Sequence, residues 1–204
     1  MKSYATLGTG IFVHEKVKIG KNVTIGHCSC VGFGDPEDGE IIIEDGVTIG
    51  AFCVIHFGTV IKEAAYIDHR CVIGIEAEIG KKTQVLSGKE VSWKAKVGDN
   101  CVIGGNVADR TVIEDDVTYL GEIVHSHRDA SRDWDTTEEV SPVIKKGSFI
   151  GANALLIDVK TIGPCSYVGS GEKLKYSLEE GMAYIESKKI LLSQLRGFIK
   201  SRCK

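Results

Sequence analysis

The chain has 204 residues, a formal net charge of −3 and a pI near 6.1. No basic stripe is evident, so a nucleic-acid partner is not expected. No run of 18 apolar residues exists, so no membrane-crossing helix is expected either. The anomaly is glycine, at 24 residues with only 3 prolines. That is about 12% of the chain, against roughly 7% in an average protein. Met1 to Thr6 lacks the apolar core of a signal peptide, which leads to the expectation of a cytoplasmic protein. The seven cysteines form no CxxC pair and are expected to be reduced rather than paired.

Taken in chain order, aliphatic residues recur every six positions: Leu7, Val13, Ile19, Ile25 and Val31, then Ile43 and onward to Ile103. Only Glu37 interrupts this series. The phase slips by two, resumes at Val107, Ile113 and Tyr119, and returns after an interruption at Ile144, Ile150, Leu156, Ile162 and Val168. Half of the glycines, among them Gly20, Gly50, Gly80 and Gly151, follow the aliphatic residue directly. Small or β-branched residues such as Val23, Ser29, Cys53 and Thr83 stand four positions after it. Gly34–Gly39 reads as a bulged turn that keeps the phase.

A period of six fits neither a helix at 3.6 nor an alternating strand at 2. It fits a chain that turns a corner every six residues, three sides making one coil of a triangular prism. The aliphatic and small residues would point inward. Glycine would relieve crowding at the turn and allow φ > 0.

Val47-Thr48-Ile49-Gly50, Cys71-Val72-Ile73-Gly74, Cys101-Val102-Ile103-Gly104 and Ile150-Gly151-Ala152-Asn153-Ala154 carry a resemblance to the hexapeptide-repeat acyltransferase superfamily. The resemblance covers roughly residues 7 to 178. It implies an all-β fold, a left-handed parallel β-helix, against the usual right-handed crossover. It also implies a homotrimer with sites between subunits. The expected organisation is a β-helix over 1–178 with a loop excursion over 125–143, and a tail over 179–204. Ile190, Leu191, Leu195, Phe198 and Ile199 have helical spacing, and Ser187 could cap them, so a short C-terminal α-helix is expected.

A packed prism has no interior pocket, which leaves faces, loops and interfaces for chemistry. The polar loop holds His125, His127, Asp129, Trp134 and Glu139. Acyl transfer from a thioester needs a base near neutrality, and histidine suits it. The segment from His125 to Trp134, followed by Ser141-Pro142-Val143-Ile144, is similar to the xenobiotic and sugar acetyltransferase pattern. That resemblance implies His125 as the base, with His127 as second choice. Asp129 or Glu139 would orient the ring, and Trp134 would line the acceptor site. It further implies acetyl-coenzyme A as co-substrate, held by backbone amides at Gly151, Ala152, Gly169 and Ser170. Lys145, Lys146, Lys173 and Lys175 are the candidates for its phosphates. The acceptor would be a small molecule, a sugar or nucleotide sugar.

Lys173 to Gly181 departs from the Val-Val-Thr-Lys-Asp-Val-Pro-Pro-Gly that many members carry there. Two other classes therefore stand beside the enzyme. One is a non-catalytic β-helix scaffold. The other is a zinc hydratase, which needs three nitrogen ligands around one open position. His14, His27, His56 and His69 lack the close spacing for that, and no metal is expected.

Overall fold

One inward aliphatic residue per side and one tight corner per six residues leave little choice of architecture. Each side is a strand of two to four residues, too short to be stable alone, and each pairs with the side one coil away. The computed structural model describes residues 5–124 and 141–195. Within them the chain winds as a left-handed parallel β-helix. His127, Asp129, Trp134 and Glu139, with His125, lie outside the described residues.

Three faces run along the prism. Face 1 is an eleven-stranded sheet from Thr6–Leu7 to Tyr167–Val168, closed by Met182–Ile185 and Lys188–Leu191. Face 2 has five strands from Phe12–Val13 to Glu90–Val91, a bridge from Val91 to Val107, and three later strands from Glu122–Val124 to Lys173–Leu174. Face 3 has eight strands from Val17–Ile19 to Thr161–Ile162. Every strand pair but the last is parallel.

The inward series forms the core. Ile55, Ile61, Ile67, Ile73 and Ile79 are wholly buried, as are Cys53, Thr59, Cys71 and Thr83 of the small series. The small series also makes hydrogen bonds. Thr59 Oγ1 donates to the Gly74 carbonyl at 3.0 Å, Thr83 Oγ1 to Gly98 at 2.7 Å and Ser29 Oγ to Gly50 at 2.8 Å. Cys53, Cys71 and Cys101 place a thiol at the same kind of carbonyl, on Asp68, Leu86 and Glu114. A small residue with a donor fits here because a corner carbonyl beside the core has no strand partner. Burial pushes the Cys101 thiol up to about 11, which suits a filler and not a nucleophile.

The glycines that follow the aliphatic residue serve closeness rather than positive φ. A Cβ on Gly80 would meet the Gly98 carbonyl carbon at 2.2 Å. The left-handed conformation falls two positions later, and side-chain-bearing residues hold it: Asn22, Phe52, Arg70, Lys82 and Asn100 all have φ between 53° and 60°. At several corners a side chain of an adjacent coil accepts the amide that the turn leaves. Lys21 N–H donates to Asp45 Oδ1 at 2.7 Å, and Lys81 N–H to Asp99 Oδ1 at 2.7 Å.

Regular coils take 18 residues, as from Ile67 to Val85. Ile25 pairs with Ile49, because Gly34–Gly39 is an added surface turn around a short 3-10 helix at Pro36–Asp38. Glu37 therefore is not an inward position; its side chain is 88% exposed. The two-residue slip is a shortened corner. Tyr119 fills the interior there, wholly buried, and its hydroxyl donates to the Asn106 carbonyl at 3.0 Å.

The expected C-terminal helix is corrected. Ser187 does not cap a helix: with Glu186 it forms a turn at φ 58° and 49° between Met182–Ile185 and Lys188–Leu191, which pair antiparallel. Ile190 and Leu191 are strand residues, and Leu192–Gln194 is a single 3-10 turn. Phe198 and Ile199 lie outside the described residues.

Candidate active site

The corner from face 1 to face 2 brings together Gly151, Ala152, Gly169 and Ser170. They occupy two adjacent coils, joined where Gly171 N–H donates to the Ala152 carbonyl at 2.9 Å. Gly151 is required, since a Cβ would stand 2.5 Å from Ser170 N. Ala152 and Ser170 are exposed, and among the described residues neither of their N–H groups has an acceptor. On two earlier coils of this corner the equivalent amide is covered, Thr9 N–H by His27 Nδ1 at 2.9 Å and Ala51 N–H by His69 Nδ1 at 2.8 Å, whereas those of His27 and Ser87 are open as well. Two open donors thus stand about 4.8 Å apart, one coil rise. They are able to receive two carbonyl oxygens of an extended ligand lying along the prism.

The candidate lysines are not brought together. Lys173 projects from face 2 and Lys175 follows it at the corner to face 3. Lys145 and Lys146 sit at the corner from face 3 to face 1, where Lys146 pairs with Asp116 at 3.3 Å. Lys175 is exposed and shares its corner with the stems of the 125–140 segment. Those stems are anchored: Asp158 N–H donates to the Val124 carbonyl at 3.1 Å, and Ser141 Oγ to Asp109 at 3.0 Å. On the same corner Trp93 lies between Arg110 at 4.5 Å and Lys94 at 4.7 Å from its ring. Below them runs a groove of about 570 Å³ lined by Gly39, Gly58, Glu76, Glu78, Lys94 and Lys96. Its lysines are spent on its own carboxylates, Lys94 on Glu76 at 3.4 Å and Lys96 on Glu78 at 2.8 Å.

Four histidines are described. His14 and His56 both pack against aromatic rings. His14 packs edge-on against Phe57 and His56 against Phe33, with ring centroids at 5.0 and 5.1 Å. His56 Nδ1 is buried without a hydrogen-bond partner, and burial lowers its pKa. His69 is the one described histidine paired with a carboxylate, its Nε2 lying 3.7 Å from Asp68 Oδ1. Sequence reasoning missed this pair, although Asp-His at a corner was legible as an adjacent base and acid. Accepting the Ala51 N–H at Nδ1 places the ring proton on Nε2, facing Asp68. The ring's basic nitrogen is therefore occupied, in the role that Asp45 and Asp99 fill elsewhere. Among the described residues no group of three or more His, Cys, Asp or Glu is placed to hold a metal ion.

No family model matches the chain. Its sequence is 32% identical over 113 residues to a UDP-3-O-acylglucosamine N-acyltransferase of Methylorubrum extorquens, covering 52% of this chain and 31% of that protein. It is 26% identical over 201 residues to the bifunctional protein GlmU of Carboxydothermus hydrogenoformans, covering 90% of this chain and 43% of the other. Both relatives are acyltransferases or carry that activity in their family, and the chain is similar to them along its six-residue repeat. It spans less than half the length of either relative. Among solved structures, an Arabidopsis UDP-N-acetylglucosamine acyltransferase aligns over 97% of this chain and 72% of its own, at 15% identity and a TM-score of 0.40. The acetyltransferase domain of PglB from Neisseria gonorrhoeae, in complex with acetyl coenzyme A, aligns over 89% and 57%, at 12% identity and a TM-score of 0.29.

Proposed function

We propose that this chain is a coenzyme A-dependent acyltransferase, using an acetyl thioester and acylating a hydroxyl or amine of a sugar or nucleotide sugar. The observation that carries the reading is the pair of open amides at Ala152 and Ser170, in a protein whose sequence relative is a nucleotide-sugar N-acyltransferase. A pantetheine arm is an extended chain with two amide carbonyls, which is what two donors one coil apart would accept. Gly151 and Gly169 let that arm approach the backbone. Lys175 meets its phosphates from the neighbouring corner.

His125 is the base, with His127 as the second candidate. Val124, which precedes His125 in the sequence, has its carbonyl held by Asp158 N–H. The base takes the proton from the acceptor O–H or N–H as that atom bonds to the thioester carbonyl. The tetrahedral oxyanion then collapses, the C–S bond breaks, and the thiolate leaves and takes a proton. Asp129 orients the imidazole and Trp134 lines the acceptor site. Three copies form the functional unit.

Thiol release from acetyl-CoA, with a panel of amino- and hydroxy-sugars, tests this. His125→Ala should lower kcat by about 10²–10⁴. His69→Asp keeps an acceptor for Ala51 N–H, as Asp45 does for Lys21, and should retain activity. Loss in His69→Asp with an unaffected His125→Ala would move the base to the Asp68–His69 pair. No turnover and no coenzyme A binding by calorimetry would favour the scaffold.

A further inference from the structure

The groove of about 570 Å³ on face 3 plays no part in the candidate site, and the inserted turn shapes it. Gly34–Gly39 lies against the next coil, where Gly58 N–H donates to the Gly39 carbonyl at 3.2 Å. Gly58 is held at φ 73°, and a Cβ there would meet the Asp38 carbonyl oxygen at 2.6 Å. Gly58 stands in register between Glu40 and Glu76 of the adjacent coils. This one position of the row therefore carries no side chain. It leaves a dent whose floor is the outward side chains of Ile42 and Val60.

A charged rim surrounds that apolar floor, and its charges are already matched. Lys18 pairs with Glu40, Lys94 with Glu76 at 3.4 Å, and Lys96 with Glu78 at 2.8 Å. Lys94 is held on its other side by the Trp93 ring at 4.7 Å. Among the described residues Asp38 has no cation within ion-pair distance. An anionic ligand would find the rim lysines taken and Asp38 unmatched. A multiply charged cation would have to pull the glutamates off their lysines. A neutral ligand rich in hydroxyls needs neither. Each hydroxyl can donate to a carboxylate oxygen and accept from an ammonium while the ion pair stays intact. The floor asks for the same kind of molecule, with an apolar face and a polar edge. A pyranose ring has C–H bonds on its faces and hydroxyls around its edge.

We infer that this groove binds a neutral saccharide. One ring lies on Ile42 and Val60, which stand one coil apart, about 4.8 Å. Its hydroxyls meet Asp38 on one side and Glu76 and Glu78 on the other. Lys94 and Lys96 lie one coil further along and receive the next unit. The groove is on face 3, whereas the open amides of Ala152 and Ser170 are on the corner from face 1 to face 2. The saccharide site is thus separate from the proposed thioester site, and it stands whether or not the protein transfers acyl groups.

Calorimetric titration with neutral glucose and N-acetylglucosamine oligosaccharides, in series from the single unit upward and with no acyl donor, tests it. At least one series should bind, and more tightly as the chain lengthens from one unit to three. Val60→Lys covers the floor with a side chain that the same outward row already carries as Lys18 and Lys96, so the fold should hold, and circular dichroism verifies it. Its binding should be lost. Glu78→Gln should weaken binding about tenfold. Val112→Lys, on the same face outside the groove, should bind as the wild type does. Salt at about 0.5 M should change Kd by less than about twofold, because a neutral ligand brings no new charges together. No binding in either series overturns the inference. So does a folded Val60→Lys that binds like the wild type, which would move the saccharide to another surface. A Kd that weakens steeply with salt would point to a charged ligand and overturn it as well.

Discussion

The two corners that bound face 1 share a backbone and differ in everything the backbone does not dictate. Phe52 on one and Lys82 on the other hold φ of 60° and 55°. Ala51 N–H on one and Lys81 N–H on the other donate to a side chain of the next coil, His69 and Asp99. Yet the first three coils of one corner carry no charge before Asp68 and Arg70 on the fourth, whereas the other corner is charged at nearly every coil. The hexapeptide phase therefore dictates φ, inward packing and the need for a cap.

Three changes sharpen that division. The largest effect is expected from glycine. At Gly80, on the charged corner, an added Cβ meets only the Gly98 and Asp99 backbone, which cannot turn aside. Gly80→Ala should cost about 1–3 kcal/mol in denaturant unfolding. At Gly104, on the other corner, the obstacles are the methyl ends of Leu120 and Leu86, which can rotate. Gly104→Ala should cost clearly less. If both cost the same, close coil stacking is not what selects glycine here.

Removing a cap should be milder. Asp99→Ala strips the acceptor from Lys81 N–H and should cost about 1 kcal/mol, whereas Asp99→Asn keeps an acceptor oxygen and should recover most of it. The smallest effect belongs to the third corner. Burial holds the His56 imidazole below its ordinary pKa, against the weaker pull of Glu90 and Asp38. The unfolded chain then takes up this proton before the folded one does. Stability is full above about pH 6.5 and declines as pH falls below it. His56→Gln should flatten the melting temperature between pH 7.5 and 5.5, and an unchanged slope would assign the pH dependence to other groups.

Much of this architecture was legible in the sequence because each coil must bury the same positions. The inward series and Tyr119 needed only the period. Glu37 looked like a defect in that series because six inserted residues preserve the count while leaving the prism. The tail misled for a different reason. A short run such as Ile190, Leu191 and Leu195 is compatible with both periods, and Glu186-Ser187 carries none of the Asn-Gly signal expected of a two-residue hairpin turn. In the candidate site, the resemblance named Gly151, Ala152, Gly169 and Ser170, and the six-residue phase puts them on one corner. It did not reveal that the Ala152 and Ser170 amides are open, because that depends on what the next coil fails to supply. The scattered lysines show the converse: nearness in sequence said nothing about which corner each would occupy.

The antiparallel return at Lys188–Leu191 has one more consequence. A parallel coil edge is a template, and whatever it pairs with presents the same edge again. By reversing direction, the hairpin ends that self-copying on face 1. The prism thus has a polarity that its repeating interior lacks: a closed end, where the chain turns back on itself, and a first coil whose Leu7 is still half exposed.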